Sequence, residues 1–122
     1  MFIPVEIWFR AFVLTLVVEA PVVALLLRRW EPSRPRLLVL IVFANLASHP
    51  AVWFVFSQLL DIGTRDYVLA VEAWAIACEA LFYSAAIRGL PVRQAIVTSL
   101  VANTASYLVG LLAVALWPQL FW

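Results

Sequence analysis

Four stretches of predominantly apolar residues, each about 20 residues long, make up most of this chain of 122 residues. They cover roughly residues 8–27, 37–60, 67–87 and 94–116. A helix needs about 20 such residues to cross the hydrocarbon core of a bilayer. Helices satisfy their backbone hydrogen bonds internally, which a lipid environment requires. The sequence therefore predicts an all-α membrane protein with four transmembrane helices.

The composition agrees with one membrane domain and argues against an enzyme. Hydrophobic residues make up 66% of the chain and charged residues 12%, whereas soluble domains have about 25% charged residues. We expect a single transmembrane domain over residues 1–122. The connections are short, and they contain no glycine-rich phosphate loop, metal-ligand spacing or nucleophile elbow. An intramembrane enzyme that uses Glu19, Glu79 and His49 is a minor alternative. A net charge of +1 also gives no basic surface for nucleic acid.

The arginines predict the orientation in the membrane. Six of the eight basic residues lie in the loops at residues 28–36 and 88–93, so these loops should be cytoplasmic. The acidic loop at residues 61–66 and both termini then lie outside, although Arg10 and Arg65 run against the trend. We expect a bacterial or archaeal cytoplasmic membrane as the location. Tryptophans near the segment ends fit an aromatic belt: Trp8, Trp30, Trp117 and Trp122.

A polar motif, Glu-Ala…Arg…Ala-Asn-x-Ala-Ser, occurs twice with nearly the same spacing. Its glutamates are Glu19 and Glu79, and its asparagines are Asn45 and Asn103. Each glutamate lies nine residues before a loop arginine, which is roughly 14 Å along a helix. Each asparagine lies nine or ten residues after a loop arginine. All four side chains are therefore predicted close to the bilayer midplane. A polar side chain at that depth is by default a functional hypothesis.

The two copies of the motif predict a tandem repeat of helical hairpins, about residues 8–60 and 67–116. Consecutive hairpins have the same orientation, so we expect parallel repeats related by a pseudo-two-fold axis along the membrane normal. Residues three and four positions after each asparagine share its helix face. The predicted polar layer at the midplane thus contains Glu19, Asn45, Ser48, His49, Glu79, Asn103, Ser106 and Tyr107.

The polar layer has two interpretations. In the first, each glutamate donates a hydrogen bond to its asparagine and simply holds the helices together. In the second, the layer is a site for a cation, a proton or a polar substrate. His49 is either a hydrogen-bonded core residue, or a proton relay or a haem or pigment ligand, so the sequence specifies no cofactor. Pro21 and Pro50 occur only in the first hairpin, which we therefore expect to be the specialised one.

Two functions are compatible with these features. The preferred hypothesis is a non-catalytic subunit or assembly partner of a larger membrane complex, because four short helices form little internal core. Their outer faces could bind partner helices as readily as lipid. The alternative is a small oligomeric transporter or an ion- or proton-conducting protein that uses the polar layer as its site. Expected partners are the lipid bilayer and either other membrane subunits or further copies of this chain.

The arginine distribution gives a first testable prediction. Single cysteines in the loops, at Ser33 and Gly89, should be shielded from a membrane-impermeant thiol reagent in intact cells, whereas one at Gly63 should react. The native Cys78 is replaced by alanine in each variant, and permeabilised cells control for reactivity. Reaction at Gly89 in intact cells would contradict both the orientation and the parallel repeat.

Overall fold

The computed structural model describes residues 3–121 as a bundle of four long helices. Each helix is long and apolar enough to cross a membrane, as the sequence predicts. Within the described residues there is no strand. The helices are α1 (Val5–Leu27), α2 (Arg34–Leu59), α3 (Arg65–Ala86) and α4 (Val92–Leu116). A single 3-10 turn, Pro118–Leu120, follows α4. The position predicted for Trp122 falls outside the described residues.

Each helix begins two or three residues earlier than the apolar segments predict, because polar residues form the first turns. Ser33 caps α2, where its Oγ accepts a hydrogen bond from the Arg36 backbone N–H at 3.4 Å. Thr64 caps α3 in the same way, and its Oγ1 accepts from the Tyr67 N–H at 3.2 Å. Such caps satisfy backbone donors that a helix start leaves free. Hydropathy alone therefore places the helix starts too late.

The helices form a ring in which α1 and α3 each pack against α2 and α4. Two hydrogen bonds show which ends lie together. Arg10 Nη1 donates to the Leu120 carbonyl at 2.9 Å, and Arg36 Nη2 donates to the Ala86 carbonyl at 3.0 Å. Successive helices therefore run in opposite directions. We call the end with residues 28–33 and 87–91 the arginine end, and the opposite end the terminal end.

The arginine end is the tightly packed half of the bundle. Arg36 links its loops, because Nη1 also pairs with Glu31 Oε2 at 2.7 Å. The buried core lies mainly in this half and consists of Val23, Leu27, Leu37, Ile41, Ala44, Ala80, Tyr83, Ile87, Leu90, Ala95 and Ala102. The outside of the bundle is also apolar; Leu59 and Leu81, for example, are 71% and 72% exposed.

Helix α2 is irregular near its end. Pro50 lies inside the helix, and residues Val52–Phe56 directly after it form a π-helical turn. Proline has no N–H to donate and its ring crowds the preceding turn. Single π turns of this kind occur often at functional sites. This irregular part of α2 lies near the terminal end and directly follows His49 in the sequence.

The backbone of two loops restricts where a labelling cysteine can be introduced. Gly63 and Gly89 have φ values of 86° and 77°, a left-handed conformation that a residue with a Cβ adopts only with strain. Exposed neighbours avoid this strain: Ile62 in the middle loop and Val92 at the start of α4. The topology experiment is therefore best done at these two positions.

The packing at the arginine end predicts which apolar residues on α2 stabilise the bundle. Ile41 is 1% exposed, whereas Leu38, three residues earlier on the same helix, is 54% exposed. We expect Ile41→Ala to cost toward the lower end of the roughly 2–5 kcal/mol known for soluble cores, because detergent or lipid removes the transfer contribution. Leu38→Ala is the matched control and should lower the melting temperature in detergent far less. Equal effects of the two variants would contradict this packing.

Candidate functional site

The two glutamates of the polar layer are hydrogen-bonded in the middle of the bundle. Glu19 Oε2 accepts from Asn45 Nδ2 at 3.0 Å, and its Oε1 accepts from Ser106 Oγ at 2.7 Å. Glu19 is fully buried, and Asn45 is 1% exposed. The carboxyl of α1 is thus bound to α2 and to α4 at the same time.

Glu79 on α3 has the corresponding partners. Its Oε2 accepts from Asn103 Nδ2 at 2.8 Å, and its Oε1 accepts from Ser48 Oγ at 2.8 Å. Each carboxyl therefore binds the asparagine of the following helix. It also binds a serine of the neighbouring helix on its other side. We call these six residues the carboxyl network: Glu19, Asn45, Ser48, Glu79, Asn103 and Ser106.

The direction of these hydrogen bonds differs from the sequence expectation, in which glutamate donates to asparagine. Both asparagine Nδ2 groups also donate to the backbone carbonyl four residues earlier, Asn45 to Ile41 at 3.1 Å and Asn103 to Ser99 at 2.9 Å. These second bonds fix the amide orientation, so that Nδ2 points at the carboxyl. The carboxyl oxygens that face the asparagines, Glu19 Oε2 and Glu79 Oε2, are consequently acceptors.

The structure places His49 and Tyr107 apart from the carboxyl network. His49 Nε2 lies 3.4 Å from Thr15 Oγ1 on α1. Its ring is surrounded by aromatic rings, with centroids 5.4 Å from Phe12 and 6.1 Å from Trp53. Tyr107 lines the cavity described next. Six of the eight residues of the predicted polar layer thus form one network. The other two, His49 and Tyr107, lie nearer the terminal end.

A cavity of about 300 Å³ lies between the four helices, from the carboxyl network to the terminal end. We call it the central cavity. Its floor consists of network residues: Asn45, Ser48, Glu79, Asn103 and Ser106. Its walls are mainly apolar and aromatic and include Trp53, Tyr67, Glu72, Tyr107 and Phe121. Ligand sites in proteins commonly combine such apolar walls with a few polar groups.

The chain after α4 narrows the mouth of the central cavity. Phe121 is 7% exposed and is one of the lining residues. The 3-10 turn before it is held by the hydrogen bond from Arg10 to the Leu120 carbonyl, at 2.9 Å. The terminal end is therefore partly covered, whereas the arginine end below the network is filled by side chains.

Several buried polar atoms near the carboxyl network have no hydrogen-bond partner among the described residues. They are Asn45 Oδ1, His49 Nδ1, Tyr83 Oη and Thr98 Oγ1. A buried polar atom of this kind costs free energy unless a partner is supplied. Asn45 and His49 also line the central cavity, but their unpaired atoms are themselves buried away from its surface.

Three of the contacts around the site involve residues that the sequence does not single out. Trp74 Nε1 donates to the Ser48 carbonyl at 3.1 Å, Tyr67 Oη donates to the Val52 carbonyl at 3.1 Å, and Thr15 contacts His49. The Ser48 carbonyl lies two residues before Pro50, and the Val52 carbonyl lies in the π-helical turn after it. Pro50 leaves the Leu46 carbonyl without its helix donor, so it does not predict these contacts.

Comparison of the chain with protein-family models, with curated proteins and with solved structures finds no match. The description of the site therefore depends on its own geometry. Within residues 3–121 no group of three or more His, Cys, Asp or Glu side chains is placed to hold a metal ion. The carboxyl network and the central cavity are the features from which a function can be argued.

The network geometry predicts that Glu79→Gln is mild and Glu79→Leu is not. Glutamine can keep an oxygen on Asn103 and direct its amide N–H groups at Ser48 Oγ, because that hydroxyl can donate instead to the Asn45 carbonyl 3.4 Å away. Leucine leaves both partners without the carboxyl, at a cost on the order of 1–2 kcal/mol. Thermal melting in detergent measures the difference. If glutamine destabilises as much as leucine, the network requires a charge rather than a hydrogen-bonding shape.

Proposed function

We propose that this chain is a small integral membrane transporter or ion-conducting protein whose central cavity leads to the carboxyl network. The observation that supports this function best is the cavity itself, which ends on buried carboxyl and amide groups. A polar layer that only held the helices together would not require a cavity next to it. Among the alternatives drawn from the sequence, this geometry favours transport over a purely structural role.

The proposal places the four helices across a bilayer with the arginine end on the cytoplasmic side. It is supported by four helices of sufficient length and apolarity, by exposed apolar side chains around the bundle, and by the arginine-rich loops. The carboxyl network then lies near the midplane, where transporters typically bind their substrates. The central cavity opens toward the outside, and the packed arginine end closes the cytoplasmic side.

The proposal includes a tandem repeat of two hairpins, residues 8–60 and 67–116, as the moving parts. The pattern of hydrogen bonds supports it, because Glu19 and Glu79 each bind one asparagine within the hairpin and one serine of the other hairpin. Hairpins related in this way could rock against each other around a fixed site, as the repeats of larger transporters do.

The residues that line the central cavity differ from those that the sequence favoured for contact with a solute. The sequence asymmetry favoured the first hairpin, with Glu19 and His49. In the structure the cavity is lined by His49 from the first hairpin but by Glu72 and Glu79 from the second, and Glu19 is not a lining residue. We therefore assign solute contact to Glu79 and Glu72, and a role in holding the hairpins to Glu19.

This assignment predicts unequal effects on flux in proteoliposomes that contain a proton- or monovalent-cation-sensitive dye. Glu79→Gln and Glu72→Gln should remove most of the flux, because they alter the groups at the cavity. Glu6→Gln makes the same chemical change at an exposed position in the first turn of α1 and should leave the flux unchanged. Thermal melting confirms folding. Absence of flux in the wild-type protein for protons and monovalent cations would end the ion-conducting form of the proposal.

A non-catalytic subunit of a larger membrane complex is the second candidate. The observation in its favour is a row of exposed leucines on α4, formed by Leu108, Leu112 and Leu116. Spacings of four residues place them on one helix face, which a partner helix could cover. Purification in a gentle detergent separates the candidates. A larger partner in constant stoichiometry supports the subunit, and a homo-oligomer supports the transporter.

A further inference from the structure

We infer that the central cavity binds a small organic cation, a protonated amine with an apolar or aromatic body, whose charge lies against Glu72. The inference rests on the proposal that this cavity is the solute site, and it specifies the class of solute. It depends on the charges that line the cavity, on the carboxyl of Glu72 that has no partner, and on the aromatic walls and size of the cavity.

The charged side chains that line the central cavity are all acidic. They are Glu72 and Glu79, and no arginine is among the described lining residues. In a cavity with low-dielectric walls, side chains of one sign concentrate ions of the opposite sign. An anionic ligand would be disfavoured here, and a cation would be attracted.

The two carboxyls differ in a way that identifies the one available to a ligand. Both oxygens of Glu79 already accept hydrogen bonds, from Ser48 and Asn103. Glu72, on the same face of α3 and roughly 10 Å nearer the terminal end, has no hydrogen bond or ion pair with any residue in the part of the chain that the structure describes. A carboxyl on an apolar wall is costly without a partner, and a bound cation would supply one.

The free carboxyl of Glu72 also indicates that the cation has N–H groups. It has no hydrogen-bond donor among the described residues, and a protonated amine can donate charge-assisted N–H hydrogen bonds to it. A quaternary ammonium group cannot.

The walls and the size define the rest of the ligand. Trp53, Tyr67 and Phe121 line the cavity, and aromatic faces attract cations as well as apolar groups. Hydrated inorganic ions gain little from such walls. A volume of about 300 Å³ is at the lower end of ordinary ligand pockets. An amine with a single ring therefore fits better than a large or multiply charged molecule.

The test uses two probes of nearly the same shape, benzylammonium and the neutral benzyl alcohol, with calorimetry on the purified full chain in lipid nanodiscs at neutral pH. Wild-type protein should bind benzylammonium more tightly. Glu72→Gln should weaken that binding about tenfold or more, as loss of a desolvated charge partner does, and should leave benzyl alcohol binding unchanged. Glu6→Gln, with the same change at an exposed site, should behave as wild type. If Glu72→Gln fails to melt as wild type does, Glu72→Asp replaces it and should retain most of the affinity, because it retains the charge.

The inference is overturned if wild-type protein binds no benzylammonium, if benzyl alcohol binds as tightly, or if Glu72→Gln leaves the affinity for benzylammonium unchanged. Its failure is distinguishable from failure of the proposed transport. Flux of protons or monovalent cations without amine binding would overturn the inference and keep the transporter. Glu72-dependent amine binding without flux of any cation, benzylammonium included, would support the inference and leave a binding protein in place of a transporter.

Discussion

The hydrogen bonds between the two buried carboxyls and the serines of the opposite hairpin determine how this bundle is assembled. In lipid there is little hydrophobic force between helices, so packing and polar contacts decide their association. Glu19 on α1 accepts from Ser106 on the neighbouring α4, and Glu79 on α3 accepts from Ser48 on the neighbouring α2. These two bonds join the hairpins to each other. Every carboxyl oxygen is paired only when all four helices have the correct rotation and depth, so the network favours one register over the alternatives.

The network also separates two halves of different character. On the arginine side, apolar residues such as Val23, Ile41 and Tyr83 fill the interior. On the terminal side, the helices leave a cavity whose walls include residues next to the Pro50 irregularity in α2. Val52–Phe56 form a π-helical turn just after Pro50, and Tyr67 Oη donates to the Val52 carbonyl in this turn. The polar groups are therefore reachable from one side of the bundle and sealed on the other.

Much of the fold, but less of the site, could be predicted from the sequence. Hydropathy identifies the four helices, and the shared distance from the loop arginines places Glu19 with Asn45 and Glu79 with Asn103 at one depth. Periodicity does not specify how the helices are ordered around a ring or rotated in it. The partnership of each carboxyl with a serine of the other hairpin, the position of His49 beside Thr15, and the central cavity all depend on that arrangement. They could not be derived from spacing along the chain.

The serine hydroxyls show how a network that assembles the bundle could also allow it to move. Ser48 Oγ has a second acceptor, the Asn45 carbonyl at 3.4 Å, and Ser106 Oγ has the Asn103 carbonyl at 3.1 Å. Each hydroxyl can therefore leave its carboxyl and remain hydrogen-bonded within its own helix. The asparagine amides hold each carboxyl inside its own hairpin. Within the carboxyl network, the bonds that break at least cost are thus those between hairpins. The bond between Ser48 and Glu79 lies at the floor of the central cavity, so opening of this bond would change the shape of the cavity.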